Sequence, residues 1–336
     1  MSTYRGIRGT LVSTRTANPD NPNTGDIWYR SDTGDVQLQI NLSSWATGGT
    51  MNTARELGSS IGTAHNASIV GAGYNGSTHV NNVESYDGTS WTEIAEVNTA
   101  RYYSTGFGSS TAGVVVGGTP PVTGKTEVWN GSAWTEVNDL TRLPSSPQAS
   151  AYMSGSGTST SGLVYAGDEG ATNKRALTES WDGTNWTEVG DLNTSRSYAA
   201  GSGTSNSSAL LISGFNWTPS IGGSPLVEQY DGSSWTEIGD VNAGRGRIAA
   251  SNFGGVSATI VFGGSPNNST IVSSNESWDG SSWTETTDLS SGKWGHYGSG
   301  TGTNALASGG ANPPSSRLAT TEEWTQASTT QKATVS

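Results

Sequence analysis

An aromatic residue followed five positions later by tryptophan returns along this chain at regular distances, with nearly the same string between. The copies begin Tyr86-Asp87-Gly88-Thr89-Ser90-Trp91, Trp129-Asn130-Gly131-Ser132-Ala133-Trp134 and Trp181-Asp182-Gly183-Thr184-Asn185-Trp186. Two more span Tyr230 to Trp235 and Trp278 to Trp283, and a sixth, at Trp324, keeps only its front half. The first aromatics are 43, 52, 49, 48 and 46 residues apart. A period of this length predicts a supersecondary unit of four short strands that buries its apolar face only against neighbouring copies. Asp-Gly or Asn-Gly between the two aromatics supplies the positive-φ residues of a tight hairpin.

The remainder of the unit repeats as well. A glutamate stands two residues before each first aromatic, at Glu84, Glu127, Glu179, Glu228, Glu276 and Glu322. Upstream lies a short apolar run, such as Val114-Val115-Val116 or Ile260-Val261-Phe262, as expected of a strand buried on both faces. Further upstream, after a polar turn, is a basic residue: Arg55, Arg101, Arg142, Arg196, Arg245 and Lys293. Each unit therefore reads as four strands. The first starts at the basic residue, the second is the apolar run, the third carries Glu-x-aromatic and the fourth Trp-Thr-Glu. The paired aromatics are expected to wedge between adjoining units, giving large apolar area from few residues.

Gly117-Gly118, Trp129 and Trp134, and again Gly263-Gly264, Trp278 and Trp283, resemble kelch repeats of the galactose-oxidase type. The resemblance extends over roughly residues 45–325 and implies an all-β, six-bladed kelch-like β-propeller. The sixth unit lacks its fourth strand, but Ser43-Ser44-Trp45 near the other end of the chain matches the missing piece. The last blade is thus expected to be closed by a strand from the N-terminal region, pairing with the strand around Trp324 and removing open sheet edges. The blade-packing set is then Tyr86, Trp91, Trp129, Trp134, Trp181, Trp186, Tyr230, Trp235, Trp278, Trp283, Trp324 and Trp45. The expected organisation is an N-terminal extension and hairpin over 1–35, serving as attachment or cap, a propeller over 36–325 and a tail over 326–336.

Composition narrows the function. Only 32% of residues are hydrophobic, yet there are 13 tryptophans, which a disordered chain would lack. The formal charge of −12 opposes a sequence-independent grip on nucleic acid or on anionic lipid heads. No window approaches the roughly 20 apolar residues of a spanning helix, so no membrane insertion is expected. The start, Met1 to Gly6, leads into no apolar run, so no signal peptide is expected and synthesis in a host cytoplasm follows. With no cysteine, disulfides, thiolate chemistry and the tyrosine–cysteine radical site of galactose oxidase are excluded.

Near the N-terminus, Asn21-Pro22 is followed by Gly25-Asp26-Ile27-Trp28-Tyr29, a turn over Ser31 to Gly34, the alternating run Asp35 to Ile40, and Ser43-Ser44-Trp45. This pattern is similar to segments of phage tail-fibre and other virion proteins. It implies a non-enzymatic virion structural protein, in a tail fibre, appendage or capsid decoration, located in the virion. Its partners would be other virion proteins and a host-surface glycan or receptor, within a symmetric homo-oligomer. Read from the residues alone, the same segment is a hairpin capping the propeller. A carbohydrate-binding propeller lectin of cellular origin is the alternative, and a glycosidase-like enzyme the third reading.

Candidate sites follow from the repeat and its exceptions. The three histidines, His65, His79 and His296, have no ligand-like spacing, so no metal and no cofactor are expected. Glutamates recurring in every unit are expected to serve the blade, since an active site needs asymmetric groups. The basic residues Arg55, Arg101, Arg142, Arg196, Arg245 and Lys293 are expected at one mouth of the channel. There they either bond carbonyls or glutamates of adjoining blades or receive an anionic ligand through bidentate geometry. Loops after the second strands vary most and carry Tyr74, Lys174, Arg175, Phe215 and Trp217; of these, Tyr74 and Trp217 are the leading ligand-contact candidates.

Overall fold

The computed structural model describes residues 12–19, 26–141, 151–168, 175–216, 222–267, 269–312 and 316–332. Among them there are β-strands and no helix. The chain divides into two compact units, one of residues 1–44 with 326–336, the other Trp45–Thr325.

The larger unit has a propeller-like arrangement of sheets. Five are four-stranded and antiparallel, each built from consecutive strands. Sheet I comprises Ser59–Ala64, Ala67–Gly71, Val83–Tyr86 and Trp91–Ile94. Sheet II comprises Thr105–Ser109, Ala112–Val116, Thr126–Trp129 and Trp134–Val137. Sheet III runs from Ser154–Thr158 to Trp186–Glu188, sheet IV from Ala200–Ser205 to Trp235–Ile238, and sheet V from Ala249–Ala250 to Trp283–Glu285. Sheet VI takes Tyr297–Thr301, Asn304–Ser308 and Thr321–Lys332 from the C-terminal part, and the next strand in it is Asp35–Thr47.

In every sheet but III the first strand begins four residues after the basic residue, not at it, because a left-handed residue two positions beyond the base turns the chain. Leu57, Tyr103, Tyr198 and Arg247 have φ of 61°, 58°, 56° and 54°. The first strands of sheets I to VI then lie side by side in order, and that of VI also lies against that of I. Their approach is close. A Cβ on Gly298 would sit 2.2 Å from the Ala250 carbonyl oxygen of the neighbouring strand, so only glycine fits there.

The core lies between sheets rather than within any one. Ile61, Ile69 and Val83 of sheet I meet Val115, Trp129 and Trp134 of sheet II. Equivalent clusters follow for each successive pair, and Met51, Val70, Tyr86 and Trp91 meet Tyr297 and Leu306 between sheets I and VI. The two repeated aromatics divide the work. Indole N–H groups of the first, Trp129, Trp181, Trp278 and Trp324, donate to carbonyls of their own sheet's first hairpin, at Ser110, Ser159, Val256 and Gly302. Those of the second reach the preceding sheet: Trp134 to the Ala95 carbonyl, Trp186 to Thr126 Oγ1, Trp235 to Thr178 Oγ1 and Trp283 to the Gly239 carbonyl.

Trp45 occupies the same kind of place. Its ring centre is 5.4 Å from that of Trp324, against 5.2 Å for Trp129 and Trp134. Its indole N–H donates to the Thr287 carbonyl just past sheet V.

In the smaller unit Ile27–Arg30 pairs antiparallel with the N-terminal half of Asp35–Thr47, Ile27 opposite Leu38, around the turn at Gly34. Ser13–Arg15 adds in parallel to Ile27–Arg30. Lys332 Nζ meets Asp35 Oδ1 at 2.5 Å, and Thr330 Oγ1 donates to Gln39 Oε1.

Candidate functional site

The recurrent basic and glutamate residues form one device. Arg101 Nη2 donates to Glu127 Oε1 at 2.9 Å, and both side chains are buried. The other oxygen, Oε2, accepts the backbone N–H and the side-chain amide of Asn98, each at 2.7 Å. The same clamp joins Arg55 to Glu84 with Asn52, Arg196 to Glu228 with Asn193, and Arg245 to Glu276 with Asn242. Lys293 Nζ meets Glu322 Oε1 at 2.7 Å, and the Ser290 N–H completes that clamp.

Both partners belong to the same repeat, so the clamp fixes each entry loop to the third strand of its own sheet rather than to an adjoining one. Arg55 and Arg196 are wholly buried. Burial lowers the pKa of Arg101, Arg196 and Arg245 while the facing glutamate raises it. The side chains of Arg55, Arg101, Arg196 and Arg245 are buried. Arg142 lies outside the described residues. Thr141 donates its N–H and hydroxyl to Glu179 as Asn98 does to Glu127. The left-handed residue follows only at Tyr152, where spacing from the other repeats places Ser150 at the basic position.

The open mouth is lined by the left-handed residues themselves. Leu57, Tyr103, Tyr152, Tyr198, Arg247 and Gly295 hold equivalent places in the six repeats, with φ between 54° and 61°. Their backbones bond one another in a cycle. The N–H of Tyr152 donates to the Tyr103 carbonyl at 3.1 Å, Tyr198 to Tyr152 at 3.4 Å and Arg247 to Tyr198 at 2.8 Å. Gly295 donates to Arg247 at 3.1 Å, Leu57 to Gly295 at 2.8 Å, and Tyr103 to Leu57. This frame leaves the side chains half-buried around a cavity of about 120 Å³.

Those side chains form an arc of aromatic rings ending in cations. Tyr103 and Tyr152 have ring centres 3.9 Å apart, Tyr152 and Tyr198 4.4 Å, and Tyr102 and Tyr103 4.4 Å. Tyr74, a residue singled out from the sequence, continues the arc at 5.7 Å from Tyr102. The Arg317 guanidinium lies 5.0 Å from the Tyr74 ring and bonds Glu56 at 2.7 Å. At the other end the Arg247 guanidinium lies 4.2 Å from the Trp294 ring and 5.2 Å from that of Tyr198.

Burial raises the pKa of the Tyr103 and Tyr198 hydroxyls; Tyr152 raises both further, while a hydrogen bond with Tyr198 partly opposes the rise at Tyr103. Around neutral pH they are uncharged O–H groups, able to donate and accept. Burial likewise raises the pKa of the Glu56 carboxyl, opposed by Arg317 and Arg247.

Below the mouth a second cavity, of about 130 Å³, runs between first strands and is lined by Ser104, Ser154, Gly201 and Gly298. His296 faces both cavities, and neither ring nitrogen has a hydrogen-bond partner. Burial, with the nearby Lys293 charge, depresses its pKa to about 3. Among the described residues no three His, Asp or Glu side chains gather as a metal site. Phe215, expected on an exposed loop, is buried edge-on to Tyr198 at 5.9 Å. Trp217 and Lys174 lie outside the described residues.

Sequence reasoning missed Tyr102, Tyr103, Tyr152, Tyr198, Arg247 and Trp294. The available signal was an aromatic or cation two residues after the repeated base, in Arg101-x-Tyr103, Arg196-x-Tyr198 and Arg245-x-Arg247. A scan against protein-family models finds no match, and a search of curated proteins finds no relative.

Proposed function

We propose that the chain is a closed, six-bladed β-propeller of kelch-like design that works as a non-enzymatic binding head on a bacteriophage particle. Its tyrosine-lined mouth would receive a saccharide of the host surface. Closure is supported by the six-membered cycle of backbone hydrogen bonds and by Trp45 taking the place of a fourth-strand tryptophan.

The observation that carries the binding role is the arc from Tyr74 through Tyr102, Tyr103 and Tyr152 to Tyr198. Tilted rings packed against one another on the backbone frame leave outward edges and faces for the C–H groups of a pyranose, while neutral phenols bond its hydroxyls. A tyrosine serving as a glycosidase nucleophile would need a lowered pKa, whereas burial drives these the other way. Attachment to a virion rests on the resemblance of the N-terminal hairpin segment, including Gly25-Asp26-Ile27-Trp28-Tyr29, to virion proteins.

A glycan array probed with the whole chain tests the binding role, and mass spectrometry of purified particles tests the location. The expected results are retention of particular glycans, lost in Tyr152→Ala, and a fixed copy number per particle. Absence from particles would overturn the virion assignment. Release of free sugar from host polysaccharide would overturn the non-enzymatic one.

A further inference from the structure

We infer that the saccharide bound at this mouth carries a carboxylate, and that Arg247 recognises it. The inference rests on the saccharide-binding reading above and adds the class of sugar. Among the six residues that frame the mouth, Arg247 is the single cation. Its guanidinium lies against the Trp294 and Tyr198 rings, 4.2 Å and 5.2 Å from their centres, and these two contacts restrain it. Its Nε is buried without a hydrogen-bond partner, and among the described residues no carboxylate oxygen lies within 4.0 Å of it.

The other arginines nearby differ in their ion pairs, although their Nε atoms are likewise unpartnered. Arg245, two residues before it, pairs with Glu276, and Arg317 with Glu56, whose carboxylate acts on Arg247 only through space. A partly desolvated cation without a counter-ion in direct contact is costly, so folded chains usually supply one. Here the place for one opens on the cavity that Tyr103, Tyr152 and Tyr198 line.

A planar guanidinium restrained by two aromatic rings suits a carboxylate, which it can bind through two parallel N–H···O bonds. Beside that ion pair the tyrosine faces would cover the sugar ring. The ligand class is therefore a hexuronic or sialic acid residue. A neutral hexose would leave Arg247 without an ion-pair partner in contact.

The test is isothermal titration calorimetry on the full chain with matched probes: trigalacturonate against its carboxyl-reduced counterpart, and sialyllactose against lactose. At least one acidic member should bind about tenfold or more tightly than its neutral partner, as expected of charge-assisted bidentate bonding. That preference should shrink as sodium chloride is raised, and Arg247→Gln should abolish it while leaving the melting temperature close to wild type. If Arg247→Gln fails to fold, Arg247→Lys and the salt series on the wild type carry the test, because a lysine keeps the charge but loses the fork.

Equal affinity for acidic and neutral members, or a preference that survives in Arg247→Gln, overturns the carboxylate inference and leaves saccharide binding standing. Binding of neither member of either pair, together with a blank glycan array, overturns both.

Discussion

Trp45 and Trp324, from opposite ends of the chain, hold their rings 5.4 Å apart at a tilt of 50°. Trp45 also stands edge-on to Phe262 at 5.1 Å, so one residue of the early chain joins the packing between sheets V and VI. Trp45→Ala should cost about 3 kcal/mol, as other large-to-small changes of packed tryptophan do. Trp134→Ala, in a fourth strand built from its own repeat, should cost a similar amount. Urea unfolding measures both; a loss below about 0.5 kcal/mol for Trp45→Ala alone would mean the early strand is dispensable.

The buried clamp between Arg101 and Glu127 makes a second expectation. Removing one partner strands the other charge, at about 3–5 kcal/mol. Glu127→Ala should be the worse of the two, since Glu127 also holds the Asn98 N–H and amide. Replacing both together by apolar residues should therefore fail to restore full stability, in contrast to a simple ion pair. Chemical denaturation of the two single variants and the double one completes the cycle.

His296 gives the chain a pH dependence of definite sign. Its folded-state pKa is depressed from 6.5 to about 3, so below pH 6.5 the unfolded chain takes up a proton that the folded chain refuses. Its contribution to stability is therefore fully present above about pH 6.5. It declines by up to roughly 1.4 kcal/mol per pH unit as the pH falls towards 3. Wild type and His296→Gln, compared by melting temperature at pH 7.5 and pH 5, should differ in slope, with the wild type losing more.

Backbone proximity between first strands predicts a contrast between two glycines. Gly298→Ala would push a methyl against the Ala250 carbonyl oxygen and should cost about 1–3 kcal/mol. Gly222→Ala meets nothing within 4 Å and should change stability by less than about 0.5 kcal/mol. Thermal melts of the two variants settle the difference.

The four-strand unit was legible because its signals are local: Asp-Gly hairpins, a Glu-x-aromatic strand and an apolar run each report on a few consecutive residues. The missing fourth strand was legible for the same reason, since Ser44-Trp45 carries the local pattern away from its copies. Pairing of Arg101 with Glu127 was not, although both residues stood out, because it depends on how the entry loop folds back over the third strand. The mouth was hidden more deeply. Tyr103, Tyr152 and Tyr198 adopt left-handed backbone without the glycine or asparagine that usually announces it. In the third repeat, the stretch between Thr141 and Tyr152 is longer than its counterparts, which shifted the basic position in the sequence reading to Arg142.

The cycle of amides and carbonyls around the mouth has an evolutionary consequence. Because each N–H in it is already taken by its neighbour, the frame itself has little left to say to a ligand. Recognition falls to the side chains at 57, 103, 152, 198 and 247, which project from the frame without supporting it. Exchange of those few residues would let a lineage follow a changing target while the scaffold stays as it is.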